Sequence, residues 1–507
     1  MRPFKLFQGL MPFSQPPSER QAAIVREQLD TVAGMSSHEM VAELTAKIVP
    51  AIFKQDDLQI RFKLLDEARD EAEKALPVLE RHIDYSSLPL PLSATSSALA
   101  ADNLLKALAR GYGDIAHTIA NALRREGQGR LFQRAIHRAM AQLKRRQLLA
   151  YRSYAKPSPS TWTMLHDLYQ LARAARPRLP EKDFASLEKQ YISALLLAYL
   201  EPGNMPRPEL SAAVFCAQRL ALHATIREAT PDLNSLQSPA PLFLVQPAEG
   251  NAGVALFRLP KGTPVFDGLV VDCTAVMDLL DKELHRNPED PQEGGLDIPQ
   301  SILHTIQLSL GGRSTRRFQR KRFKPRANLV AGIAEVIPFL EGDARTRRKG
   351  DGAGRLNPDR FSPSEWALVD QSPDGFLVRF IQGRKWQVDI GNVVALQPKE
   401  ESRVFVCLVR RIWSNAEGRL DIGLQTLSPE VSVVDLPIHG EIRRALYLHN
   451  LPAYGGRPGI LAQPGDLESG LNIRVAFGDT VRRLQIGRKV ESSDSAEFFA
   501  LIPLQTQ

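Results

Sequence analysis

From Ser18 to about residue 232, apolar residues recur at intervals of three and four, the period of helices buried along one face. Ser18 and Gln21 have capping-box spacing ahead of such a run, and Leu58–Ile83 carries both apolar and charged i,i+4 pairs. Further helices are predicted near 97–124, 129–154, 159–175, 182–200 and 208–228. The breaks fall at Pro157/Pro159, Pro177/Pro180 and Pro202 to Pro208, where proline cannot continue a helix. Trp162, Leu165, Tyr169 and Ala172 share one stripe, and His166 beside them reads as structural. Short helices with short breaks predict stacked helical hairpins without a strict repeat, an interaction scaffold. The period changes between Asn234 and Gly268, where Leu242–Val245 and Val254–Leu259 read as strands; Asp272–Leu284 then reads as a helix.

From Leu329 the signal is β. Ala367–Val369, Phe376–Ile381, Val393–Leu396, Val404–Trp413 and Leu420–Leu427 are short runs, two of them cleanly alternating (Phe376, Val378, Phe380 and Leu420, Ile422, Leu424). Such runs with turn residues between them predict a small barrel or sandwich. Asp343–Arg360 is polar and Gly-rich and reads as a loop within it. Beyond Ser432, the runs Ala445–Leu448, Ile473–Phe477, Val481–Ile486 and Phe498–Leu501 read as strands, either a separate β unit or an extension of the barrel. The expected fold class is α+β and multidomain: an α-helical scaffold over 1–232, a small mixed module over 233–310, an antiparallel β-barrel over 311–430 and a C-terminal β segment over 431–507. A length of 507 residues agrees with several domains.

Composition narrows the setting. Cys216, Cys273 and Cys407 are far apart and form no CxxC, which argues against a zinc site or disulfide framework and fits a reducing cytoplasm. The N-terminal MRPFKLFQGLMPF is broken by Gln8, Gly9 and Pro12 and reads as a poor signal peptide. The best apolar run, Ile192–Leu200, is less than half of the ~20 residues that span a bilayer, so a soluble protein is expected. The net charge is +8, and Arg313, Arg316, Arg317, Arg320, Lys321, Arg322, Lys324 and Arg326 account for that whole excess within one run. A local basic feature points to a specific anionic partner.

No Walker A loop, GxGxxG, HExxH or GxSxG is present, and no histidines have metal-ligand spacing, so neither an enzyme nor a metal site is expected. Two features stand out. The run RSTRRFQRKRFKPR holds RxxxR in the frames Arg313/Arg317, Arg316/Arg320 and Arg322/Arg326, and DQSPDG (Asp370 to Gly375) has the form DxSxxG between two predicted strands. Taken singly, the first also reads as a solvated linker or a nucleic-acid arm, and the second as a plain Asx turn.

Together, and followed by LDIGLQTL, these motifs resemble the two-part signature of the PilZ family, whose members bind cyclic di-GMP through an RxxxR loop and a [D/N]xSxxG turn on a β-barrel. The order PSPSTWTMLHDLY, basic run, VAGIAEVIPFL, DQSPDGFLV and VDIGNVVAL is similar to larger proteobacterial members linked to type IV pili and surface attachment. The resemblance implies cyclic di-GMP as ligand, held by Arg316 and Arg320 or Arg322 and Arg326 together with Asp370, Ser372 and Gly375. It also implies an unidentified protein partner through the helical half. The chemistry is consistent, because a guanidinium bonds phosphate bidentately and stacks on a base, while a carboxylate suits the paired donors of guanine. Roughly forty residues separate the arginines from DQSPDG, more than in compact members, which leaves the arginine frame open. Alternatives are a nucleic-acid-binding protein using the basic run as a phosphate arm and a degenerate barrel that binds only proteins. Few aromatics interleave with the basic residues, which disfavours single-strand stacking. Trp366, Trp386 and Trp413, near the β runs, read chiefly as core or rim residues.

Overall fold

The computed structural model describes residues 17–121, 128–230, 241–259, 268–286, 298–311, 325–349, 363–385, 388–414, 419–438, 440–451, 456–477 and 480–504. The N-terminal part is a stack of helices: α1 (Pro17–Val32), α2 (Ser37–Glu43), α3 (Val49–Phe53), α4 (Leu58–Asp84), α5 (Leu92–Ala120), α6 (Gln128–Arg152), α7 (Pro159–Ala175), α8 (Glu181–Tyr199) and α9 (Leu210–Leu220). Their starts are chemical. Asp57 accepts the N–H groups of Gln59 and Ile60 at the head of α4, Ser36 and Glu39 form a capping box on α2, and Pro159 opens α7 at a position that needs no N–H. The Trp162–Leu165–Tyr169–Ala172 stripe is buried. His166 joins Tyr191 Oη (2.7 Å) to the carbonyl of Asn251 (2.8 Å), and burial lowers its pKa, so its role is structural.

A small sheet follows, β1 (Thr225–Glu228), β2 (Leu242–Val245), β3 (Val254–Ala255) and β4 (Leu269–Asp272), in the order β1-β4-β2-β3, with α10 (Thr274–Leu284) and α11 (Gln300–Gly311) after it. The helix expected to reach 228 ends at Leu220, because Thr225–Glu228 pairs in register with Asp272–Leu269, and long-range pairing overrides local periodicity there. Phe243, Val245, Leu269 and Val271 pack into the same hydrophobic core as the helices.

The next unit is a closed barrel of β5 (Arg326–Ala331), β6 (Ser364–Ser372), β7 (Gly375–Gln382), β8 (Val393–Pro398), β9 (Phe405–Ser414) and β10 (Leu420–Thr426), every neighbouring pair antiparallel. Its interior is filled by alternating residues such as Ala327, Leu329, Trp366, Leu368, Val378, Leu396, Val409 and Ile422. Between β5 and β6 lies α12 (Ile333–Lys349), in a stretch whose sequence reads as β followed by loop. Gly332, at φ +86°, ends the strand, and Ile333, Val336, Ile337 and Leu340 recur at helical spacing against the barrel wall. Residues 343–349 of the expected loop continue this helix.

The C-terminal strands are β11 (Val431–Ile438), β12 (Glu441–Leu451), β13 (Arg457–Ala462), β14 (Asn472–Phe477), β15 (Thr480–Ser492) and β16 (Glu497–Pro503), in the order β11-β12-β13-β16-β15-β14. When each set of strands is numbered from one to six along the chain, both sheets run 1-2-3-6-5-4. The first closes through the β5–β8 ladder, whereas β11 and β14 approach within 8 Å between Cα atoms without a ladder. The second sheet therefore repeats the topology of the first in an unsealed form. The two pack through Val393, Ala395, Val406 and Leu408 on one side and Leu446, Leu448 and Phe498 on the other, with Val336 and Phe339 of α12 in the same core.

Candidate functional site

That packing covers the outer wall of the first barrel at β5, β8 and β9. The outer face of β6, β7 and β10 has a different character, set by register. Across the strands, Arg326, Ala367, Arg379, Asp421 and Trp413 form one row of neighbours, and Asp370, Leu377, Gly423 and Arg411 form the next. Cross-strand neighbours point to the same side of a sheet. Small residues at 367 and 423 thus leave shallow ground between three arginines and Asp370. The backbones of Arg326 and Arg379 are two strand spacings apart, ~9–10 Å.

The DQSPDG segment is the β6–β7 hairpin. Ser372 pairs with Gly375, its hydroxyl donates to the Gly375 carbonyl at 3.3 Å, and the Asp374 carbonyl accepts from the Thr426 N–H at 2.9 Å. Gly375 is required by space, since a Cβ there would stand 1.9 Å from the Leu424 carbonyl oxygen. A bulge between Leu368 and Asp370 adds one residue to β6 and brings Asp370 opposite the outward-facing Leu377.

Of the four expected arginines, Arg316, Arg320 and Arg322 lie outside the described residues. Arg326 opens β5 and donates to Glu365 at 3.1 Å, and Lys399 (2.5 Å) and Gln382 (2.7 Å) donate to the same carboxylate. Those donors, Lys399 foremost, hold the Glu365 carboxyl at about 2. The chain joins the barrel at Pro325, whose carbonyl accepts from the Leu368 N–H, two residues from Asp370.

Sequence reading missed Arg379, Asp421 and Arg411. Arg379 and Asp421 form a bidentate pair at 2.6 and 2.8 Å. Arg411 donates to Asn204 at 2.9 Å, lies 3.7 Å from Glu201 and sits over the Trp413 ring, whose other cationic neighbour is Lys156. The signal was the outward parity of 377 and 379 on β7, which gains meaning only once the register with β6 and β10 is known. Trp366 is core and Trp413 is rim; Trp386 lies outside the described residues. Arg411 and Trp413 carry this face to the edge of the helical half. A second contact lies nearby: Tyr154 and Leu88 of the helical half pack among the interior residues of the barrel, Tyr154 bonds Asp389, and the Ser414 N–H donates to the Tyr154 carbonyl at 2.6 Å.

Residues 25–232, which run from within α1 past β1, match the family model of the N-terminal domain of the cyclic-di-GMP receptor FimW. The chain is 25% identical over 522 residues to the cyclic-di-GMP receptor FimW of Pseudomonas aeruginosa, covering 87% of this chain and 84% of that protein. The chain is similar to a cyclic-di-GMP receptor along most of its length. No solved structure matches it significantly. Among the described residues, no helix is long and apolar enough to cross a membrane, and no group of histidines, cysteines and carboxylates could hold a metal. The three cysteines are buried and free, and burial pushes each thiol up to about 12.

Proposed function

We propose that this protein is a receptor for cyclic di-GMP, binding it in PilZ-like fashion on the outer face of β6, β7 and β10. The observation that carries the reading is that Asp370, Arg379 and the junction of the arginine run with β5 share one face. The likeness to a cyclic-di-GMP receptor supports the choice of ligand. In this reading Asp370 accepts from the N1–H and N2–H₂ groups of a guanine, and either Arg316 and Arg320 or Arg322 and Arg326 clamp the phosphates. Ser372 and Gly375 hold the hairpin in shape. Arg326 gives up Glu365 to do so, and that carboxylate keeps Lys399 and Gln382, while Arg326 gains a charge-assisted bond to phosphate. Arg411 links the same face to Asn204 and Glu201, a route by which occupancy is relayed to a protein partner on the helical half. We assign the receptor to the cytoplasm, to signalling rather than catalysis, and to pilus-dependent motility or surface attachment. A nucleic-acid arm is disfavoured by Glu365, Asp370 and Asp421, carboxylates that interrupt any phosphate track on this face.

Calorimetric titration of the full chain tests the reading, with GTP and an oligonucleotide as controls. Cyclic di-GMP binds at micromolar affinity or tighter. Arg316→Ala/Arg320→Ala and Arg322→Ala/Arg326→Ala identify the frame, the correct one losing roughly ten- to hundredfold per contact. Unchanged affinity in both would sink the site. Asp370→Ala weakens cyclic di-GMP more than its adenine analogue, which lacks the paired donors; equal losses mean that Asp370 only holds the turn.

A further inference from the structure

Away from the barrel, α6, α8 and α9 enclose an open groove of about 500 Å³. Its floor is apolar, with Leu148, Leu197 and Val214, and no acidic side chain lines it among the described residues. Two ammonium groups border it and donate to neutral oxygens: Lys144 to the Ser193 hydroxyl at 2.7 Å, and Lys189 to the Ala224 carbonyl at 2.8 Å. Arg145, the neighbouring cation, is already neutralised by Glu73 and Glu80. Burial lowers the Lys144 ammonium to about 8, the mark of a charge held out of water without a counter-ion. Gln190 on the same wall keeps a buried Oε1 with no hydrogen-bond donor among the described residues. Next to Val214 in the chain, Phe215 is a large apolar side chain about half exposed, as is Leu222 just past the end of α9.

We infer that this groove receives an acidic amphipathic helix of a protein partner, its carboxylates meeting Lys144 and Lys189 and its apolar face meeting Leu148, Leu197, Val214 and the Phe215 rim. From His137 to Leu148 the α6 wall runs ~16 Å, about three turns of a docked helix, which suits recognition through residues one turn apart. Lys144 and Lys189 over an apolar floor supply too few charges for a nucleic-acid backbone, whose affinity grows with each phosphate neutralised. The recessed Lys144 ammonium likewise fits a side-chain carboxylate better than a flat anionic surface. This inference is independent of the dinucleotide reading, since no residue of one site belongs to the other.

The test uses the full chain and a labelled helical peptide of roughly fifteen residues, with glutamates one turn apart on one face and leucines on the other. Its control carries glutamine in place of glutamate. Fluorescence anisotropy is expected to show the acidic peptide binding at least about tenfold more tightly than the control, with that advantage lost in Lys144→Glu/Lys189→Glu. Equal affinity for the two peptides, or full affinity in the charge-reversed chain, overturns the proposal. Should that variant not fold, acetylation of the unaltered chain mapped by mass spectrometry decides the matter. The acidic peptide shields Lys144 and Lys189 if it occupies the groove; shielding only of other lysines overturns the assignment, as does shielding by a single-stranded oligonucleotide in its place.

Discussion

Gly375 and Glu365 lie on adjacent strands and are fixed by opposite constraints, one by want of space and the other by a surplus of donors. Gly375→Ala drives a Cβ into the Leu424 carbonyl, so the β6–β7 hairpin must move away from β10. Overpacking of this kind costs about 1–3 kcal/mol, and thermal unfolding should register it, with weaker cyclic di-GMP binding added under the proposed function; Gly34→Ala, with nothing within 4 Å, is the neutral control. Glu365 is held at about 2 by Lys399, Gln382 and Arg326. Its folded value lies below the unfolded value of ~4.3, so its stabilisation is present above that value and lost as pH falls from about 5 towards 2. Unfolding of Glu365→Gln should therefore be less pH-dependent across that window than unfolding of the unaltered chain; parallel curves would show that the three donors do not discriminate between the two charge states. At this scale the sequence was legible where the chemistry is local. DQSPDG could be placed at a strand junction from its own residues, whereas Arg379 and Asp421, forty-two positions apart, meet only through a register that no local pattern encodes.

Elements were legible where one face met a core. The stripe of α7 and the alternation of β7 and β10 each state their own period, because one side is buried and the other is not. α12 hid because VAGIAEVIPFL is a short apolar run rich in branched residues, and periodicity cannot assign such a run to helix or strand. It is buried from two sides, by the first barrel and by β12 of the second sheet, so most of its N-terminal turns are apolar. Leu446, fully buried opposite it, is the place to test that role. Leu446→Ala should cost about 2–5 kcal/mol in chemical denaturation, and by loosening α12 it should lower the stability of the first barrel along with that of the second. Separate transitions, with only one shifted, would mean that the two sheets are energetically independent.

For the whole molecule, the shared 1-2-3-6-5-4 strand order raises the question of whether there are one or two ligand sites. The β12–β13 pair has the same place in the strand order as the β6–β7 pair, and the sequence NLPAYG has an Asn at 450 and a Gly at 455 with the spacing of Asp370 and Gly375. In that spacing Pro452 corresponds to Ser372, and the residues before β11, LQTLSPE, contain no arginine. If the dinucleotide reading holds, Asp370→Ala combined with loss of the correct arginine pair should remove calorimetric binding entirely; a residual half of the stoichiometry would assign a live site to the second sheet. That order was not legible in the C-terminal sequence, since strands show their alternation but not their partners.

The contact at Tyr154 has a consequence for anyone dissecting this protein. Its ring is 2% exposed among residues that fill the barrel, and its backbone, at φ +51°, bridges to Ser414. The barrel is in effect a bottle whose stopper is moulded from a different part of the chain. A fragment cut at the natural-looking boundary near residue 311 leaves the bottle uncorked, with an oily mouth facing water. Poor behaviour of such a fragment would then report the missing stopper and say nothing about the residues proposed to bind cyclic di-GMP.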